Sequence, residues 1–321
     1  MPSGPIYNVL VTGASSTNSI DFIRALKKQT ELSLRICATD IYEKNLSIGS
    51  HFSDSFYQVP PAKDPEFVNK LLEICKVEQT HILVPIIDEE FWPILQNRSR
   101  FEQNKVKVVL PEETILSATS NKLNFHNFLL ANGFNSPTLK SAPFSSADLP
   151  LITKPIHGRG SQGVKIIHTA KDLENFQLPT NYIVQKMVSG TEFTIDTFSD
   201  LSGKTLVAVP RVRMEIRDGK SVRAQIQHNE LIETTTKSIC DKLKMTGPAC
   251  LQCILTSDNI PYFFDFNSRI GSATRLTVEA GVNIPFLAIK SLLNLKIEQK
   301  ELQFENNIIM LRYLNEVFTK V

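Results

Sequence analysis

The sequence predicts two regimes in one chain: an α/β segment on a parallel sheet, then an α+β segment rich in antiparallel strands. Three observations predict it. Apolar, β-branched runs alternate with helix-period segments as far as Pro111. From Leu151 onward, strand-like runs follow one another across short turns. Between the two lies the stretch 135–150, which holds Pro137, Pro143, Pro150 and several serines and reads as a linker.

In the first segment, residues 7–12 form an apolar run ending at Gly13. Residues 19–28 carry Ile20, Ile23 and Leu26 near helical spacing. A second strand spans 34–39 and ends at Asp40; a helix over 67–75 aligns Phe67, Leu71 and Ile74 on one face. Strands at 81–86 and 105–110 complete the sheet. Ligands of parallel sheets gather at the carboxyl ends of strands, and those ends carry Gly13, Asp40 and Asp88. A single helical stretch is expected over 112–132, stopped by Gly133. The second segment reads as strands at 151–154, 164–168, 181–188, 192–199 and 205–210, a helix at 230–243, and a hairpin of 250–256 with 262–266.

A chain of 321 residues suits two or three packed lobes. The formal charge of +2 is too small to argue for nucleic-acid or membrane attraction. No run approaches the roughly 20 apolar residues that span a bilayer. The opening MPSGPIYNVLVTG lacks the basic and apolar regions of a signal peptide. Five scattered cysteines read as reduced thiols, so a cytoplasmic protein is expected.

Three constellations carry chemistry. In ITKPIHGRGSQGV a strand delivers Lys154, and a loop with Gly158, Gly160 and Gly163 follows at once, with Ser161 among them. Glycines let backbone N–H groups approach an anion, and the lysine adds a point charge. No Gly-Lys-Ser/Thr follows, so this is not a Walker A loop. In FFDFNSR, Asp265 and Asn267 lie two apart on a strand and so share a face, with Arg269 beyond them. Gln252 on the paired strand adds a third oxygen, a donor set suited to Mg2+. In QKMVSGTE, the strand end Gln185, Lys186, Met187 and Val188 presents backbone groups able to read an adenine edge, and Glu192 a carboxylate for a ribose hydroxyl.

Together these resemble the ATP-grasp superfamily, especially the branch similar to the carbamoyl-phosphate synthetase large chain. The resemblance covers nearly the whole chain. VLVTGASSTNS and HILVPIIDEE look like the Rossmann-like pre-ATP-grasp domain, implying domains at 1–111, 112–184 (a small lobe with the phosphate loop) and 185–321. Lys122, in SNKLNFHNFLLANGFNSP, sits where the family places its first nucleotide-binding lysine, and Lys154 matches the second. The resemblance implies ATP with Mg2+, or Mn2+ in its place. It implies an ADP-forming ligase acting on small-molecule carboxylates and amines through an acyl phosphate. It also implies carboxylate-facing arginines at Arg211 and Arg213, Arg269 at the reacting centre, and the homodimers common among relatives. Two departures stand out. Asp265 replaces the usual glutamate, and Gln252 replaces an acid found in many relatives, which makes the metal site less anionic. An ATP-binding sensor of the same fold, with catalysis reduced, is the alternative.

Two rivals are weaker. VLVTGAS and the Tyr182-x-x-x-Lys186 spacing evoke a short-chain dehydrogenase, but the phosphate fingerprint needs glycines after Gly13 where Ala14, Ser15 and Ser16 stand. Cys250–Leu251–Gln252–Cys253 has the spacing of a zinc pair but no second pair.

Overall fold

The short apolar runs of the first segment stack as β1 (Ile6–Val11), β2 (Ser33–Asp40), β3 (Ser55–Gln58), β4 (Ile82–Val84) and β5 (Lys107–Val108) in a computed structural model that describes residues 4–158, 160 and 162–320. They form a parallel sheet in the order β3-β2-β1-β4-β5. The strands read as continuous apolar runs because both faces are covered. Val9, Val11, Ile36 and Val84 belong to one core, and Leu10, Cys37 and Leu83 to the other. Strand order reverses at β1, between β2 and β4, so the crevice beyond their carboxyl ends is the place for a ligand.

The second segment holds two antiparallel sheets. One is β6 (Leu151–Pro155), β7 (Lys165–Ile167) and β8 (Tyr182–Lys186), in the order β7-β6-β8. The other is β9 (Thr191–Ser199), β10 (Thr205–Arg217), β11 (Lys220–Ile226), β12 (Gly247–Leu255), β13 (Pro261–Asn267) and β14 (Ile309–Leu311), in the order β13-β12-β9-β10-β11-β14. The helix Glu230–Leu243 covers this sheet with Ile232, Ile239 and Cys240. One apolar core crosses both segments. It joins Phe22 and Ile23 of the helix Thr17–Lys28 to Phe198, Val207 and Ala224 of the large sheet and to Leu287 of the helix Ile284–Leu292.

The structure corrects two expectations and adds elements where none was expected. The helix expected over 112–132 is two helices, Glu113–Thr119 and Lys122–Ala131. Asn121 breaks it: its backbone is extended, and its side chain accepts from the amides of Leu123 and Asn124, starting the second helix afresh. β10 runs well past Pro210 and turns at Asp218–Gly219 into β11. Both turn residues have positive φ, +49° and +72°, as a two-residue hairpin of this twist requires. After β13 the chain adds the helices Thr274–Glu279 and Ile284–Leu292, which pack on the first segment. Among the described residues, no helix is long and apolar enough to cross a membrane.

Candidate active site

A cavity of about 780 Å³ opens where the three sheets meet. Lys122, Lys154, Gly158, Gly160, Gln185, Lys186, Met187, Val188, Glu192, Arg211, Arg213, Gln252, Asp265, Asn267 and Arg269 all line it. Gly163 stands behind the wall: a Cβ there would lie 2.5 Å from the Tyr182 hydroxyl. Ser161 and Arg159 lie outside the described residues.

β6 ends with Lys154 almost fully buried, its Nζ 3.3 Å from the Phe264 carbonyl and over the Phe264 ring. Burial lowers its pKa to about 8; the nearby Asp265 carboxylate opposes that shift and the Lys122 ammonium adds to it. Lys122 Nζ donates to the Gly158 carbonyl of the loop at 2.8 Å and lies 3.8 Å from Asp265 Oδ1. Two cations thus converge on one carboxylate beside a glycine-rich loop, leaving net positive charge for an anionic ligand.

β12 and β13 pair antiparallel, with Gln252 opposite Asp265 and Cys250 opposite Asn267. A bulge after Gln252 shifts the register and leaves Phe264 and Asp265 both part-exposed to the cavity. Asn267 Nδ2 donates to Asp265 Oδ2 at 3.1 Å. The set offers one carboxylate and two amide oxygens. It suits one hard cation that keeps waters or phosphate oxygens as its other ligands. Among the described residues, no cluster of three His, Cys, Asp or Glu side chains forms a metal cage.

At the hinge after β8, the amides of Lys186 and Met187 are already bonded to the carbonyls of Thr138 and Pro150. Gln185 is buried, and its Nε2 donates to the Pro137 carbonyl at 3.1 Å. Its Oε1 finds no donor among the described residues. A buried acceptor left open beside a cavity suits a ligand that brings its own N–H, such as an exocyclic amino group.

The arginines are all paired. Arg211 Nε and Nη2 reach Asp196 at 3.3 and 3.2 Å, and Thr277 Oγ1 also donates to Asp196 Oδ2. Gly271 makes room for this pair, since a Cβ there would lie 2.9 Å from Arg211 Nη2. Arg213 Nη1 takes Glu192 at 2.5 Å, while its Nη2 and Nε donate to the Gly219 carbonyl and Ser221 Oγ. Arg269 is held in a fork by Asp88, with Nε to Oδ1 at 2.5 Å and Nη2 to Oδ2 at 3.0 Å. Partners Asp196 and Asp88 were not among the residues singled out for chemistry, although Asp88 was visible as the acid at the end of β4. The Ser15–Asn18 stretch at the start of the first helix was missed too, and it lines the same cavity.

The rival readings find no support in this geometry. Tyr182 and Lys186 lie on strand β8, not on one helix. The crevice after β1 is filled, because a Cβ on Gly49 would lie 2.3 Å from Ala14 Cβ. Asp40 there accepts from the amides of Ser15 and Tyr42. All five cysteines are buried, and burial pushes each thiol upward, with Cys37, Cys75 and Cys240 at about 12. They suit neither nucleophile nor metal ligand.

Residues 119–273 match the model of the ATP-grasp domain. The chain carries an ATP-grasp domain. Ahead of it, residues 9–109 match the PylC-like N-terminal domain. A D-alanine–D-alanine ligase of Clostridium botulinum (strain Alaska E43 / Type E3) is 26% identical over 156 residues, covering 43% of this chain and 51% of the ligase. The chain thus spans about half the length of the curated ligases it matches. An N5-carboxyaminoimidazole ribonucleotide synthetase solved with ADP superposes with a TM-score of 0.74 at 16% identity, over 94% of this chain and 80% of that one. The biotin carboxylase domain of Hydrogenobacter thermophilus 2-oxoglutarate carboxylase, solved as a dimer with MgADP and bicarbonate, gives 0.71 at 14%, over 95% and 74%. These likenesses show that the ATP-grasp domain and its N-terminal partner are assembled here in the same fold.

Proposed function

We propose that this chain is an ATP-dependent ligase that joins a small-molecule carboxylate to an amine, or to another nucleophile, through an acyl phosphate. What carries the proposal is the convergence in one cavity of Lys122, Lys154, the glycine loop and the Asp265–Asn267 pair. The ATP-grasp domain match and the ADP complexes of structurally similar enzymes support it.

In this reading the phosphates lie against Lys154, Lys122 and the amides of the loop. The adenine lies beside the hinge at Gln185, Lys186, Met187 and Val188, with Glu192 at the ribose. Asp265, Asn267 and Gln252 would hold Mg2+ or Mn2+, which when bound neutralises charge on the transferring phosphoryl group. The substrate carboxylate attacks the γ-phosphorus in line, breaking its bond to the β,γ-bridging oxygen, and ADP leaves. The amine then attacks the acyl carbon, phosphate leaves, and the amine's surplus proton passes to solvent. Arg269 faces the charge that develops on the acyl oxygen, with Arg211 completing the wall. Such chemistry needs positioning and charge more than a side-chain nucleophile, in keeping with the buried thiols.

The division into 1–111, 112–184 and 185–321, a homodimer like that of the Hydrogenobacter domain, and a cytoplasmic site of action belong to the same proposal. The test is ADP release by the purified protein across a panel of carboxylic acids paired with amines. Turnover that needs both partners is the expected result. Tight ATP binding with no turnover on any pair would instead make the chain a nucleotide sensor.

A further inference from the structure

The first segment contributes more to this cavity than a wall. We propose that Asp88, at the carboxyl end of β4, is a positioning residue that sets the plane of the Arg269 guanidinium for the transfer step. The inference rests on the ligase reading for the role of Arg269; the pairing of Asp88 with Arg269 is a feature of the structure itself.

The two residues lie 181 positions apart and meet across the junction of the segments in a two-toothed fork. Such a fork fixes the ring plane of an arginine as a single contact cannot. Arg269 Nη1 donates further to the Ile270 carbonyl at 3.1 Å. Three N–H groups are then spent and two of the five remain for a ligand. The same Ile270 carbonyl accepts from Asn18 Nδ2 at 3.1 Å, so a second residue of the first segment holds the strand exit that bears Arg269.

The corner carrying Asp88 is built to hold it still. Asp88 opens the helix Asp88–Gln96. Glu90, two residues on and buried, accepts from the Ile87 amide at 3.2 Å and from the Thr12 hydroxyl. Thr12 Oγ1 in turn accepts from the Ile86 amide at 3.1 Å. Gly13 has a φ of +57°, and any Cβ there would lie 2.2 Å from Ile87 Cγ1. The glycine is needed so that Ile87 can pack against the β1 turn and present Asp88 to the cavity. Thus Gly13, which marks a nucleotide crevice in other parallel sheets, here seats an arginine clamp.

The test compares Asp88→Asn, Asp88→Ala and Asp88→Glu with the wild type on the acceptor pair that gives turnover. Both kcat and the dissociation constant for ATP are measured. The first two variants are expected to lower kcat about ten- to a hundred-fold while shifting ATP affinity less than about twofold, with Asp88→Glu recovering part of the rate. Unchanged kcat, or a joint loss of rate and ATP affinity that Asp88→Glu does not relieve, would overturn the proposal. Should the wild type turn over no pair, the ligase reading fails separately. The clamp is then tested by urea unfolding of the wild type, Asp88→Asn, Arg269→Gln and the double variant. Non-additivity of about tenfold in the unfolding constant upholds the pairing, and additive effects reject it.

Discussion

Lys154 is a cation held where a cation is costly. Its pKa near 8 follows from burial, and a phosphate brought against it favours the charged form. ATP affinity should therefore be level below about pH 8 and fall as pH rises through it, by up to about tenfold per unit. The measurement is the ATP dissociation constant from pH 7 to 9.5. Lys154→Ala should lose the slope together with about tenfold or more in affinity. This residue was legible in the sequence because a strand-end lysine followed by glycines is a local pattern. So were Asp265 and Asn267, whose shared face follows from the two-residue period of a strand. The partners were not legible. Nothing local tells that Arg213 would take Glu192 or that Arg211 would be neutralised by Asp196, because those meetings depend on strand register across the large sheet.

At the scale of elements, the β10–β11 hairpin was the largest omission. Its residues, MEIRDGKSVRAQI, alternate weakly because the hairpin tip carries charge on its exposed side. Yet its turn touches the glycine-rich loop that follows Lys154. A Cβ on Gly219 would lie 2.5 Å from the carbonyl carbon of Gly160, and Arg213 ties the same turn to Glu192. Gly219→Ala should push the turn and loop apart and also strain a backbone at φ +72°. The expected result is ATP affinity weakened about three- to tenfold with the fold retained, checked by nucleotide titration alongside circular dichroism. The division of the helix at Asn121 was missed for a different reason. Helix-forming residues continue on both sides of it, and the break lies in the extended backbone and capping side chain of Asn121.

At the scale of the whole molecule, the two-regime architecture was legible because strand and helix periods are written in each segment. The way the segments join was not, since one apolar core threads both and its members are distant in sequence. Glu90 sits at this junction, where burial raises its carboxyl to about 7 against hydrogen bonds from Thr12 and Ile87 that lower it; Asp40 adds to the rise. The sign follows from the raised value. The folded state keeps the proton to about pH 7 while the unfolded chain releases it from about 4.5, so rising pH across that interval costs stability. Glu90→Gln removes the cost. The variant's stability relative to wild type should climb by on the order of 1–3 kcal/mol between pH 5 and pH 8, read from urea unfolding at both.

The five sealed thiols carry a practical corollary. While the protein is folded, its thiols are out of reach of alkylating reagents and of thiol oxidation, because reaction needs an exposed thiolate and burial denies both exposure and charge. A cysteine introduced on the surface would be the one handle that reacts. A dye or spin label could then be attached to either face of the cavity without first removing any native cysteine, and the distance between two such labels would report whether the cavity changes width when a nucleotide is added.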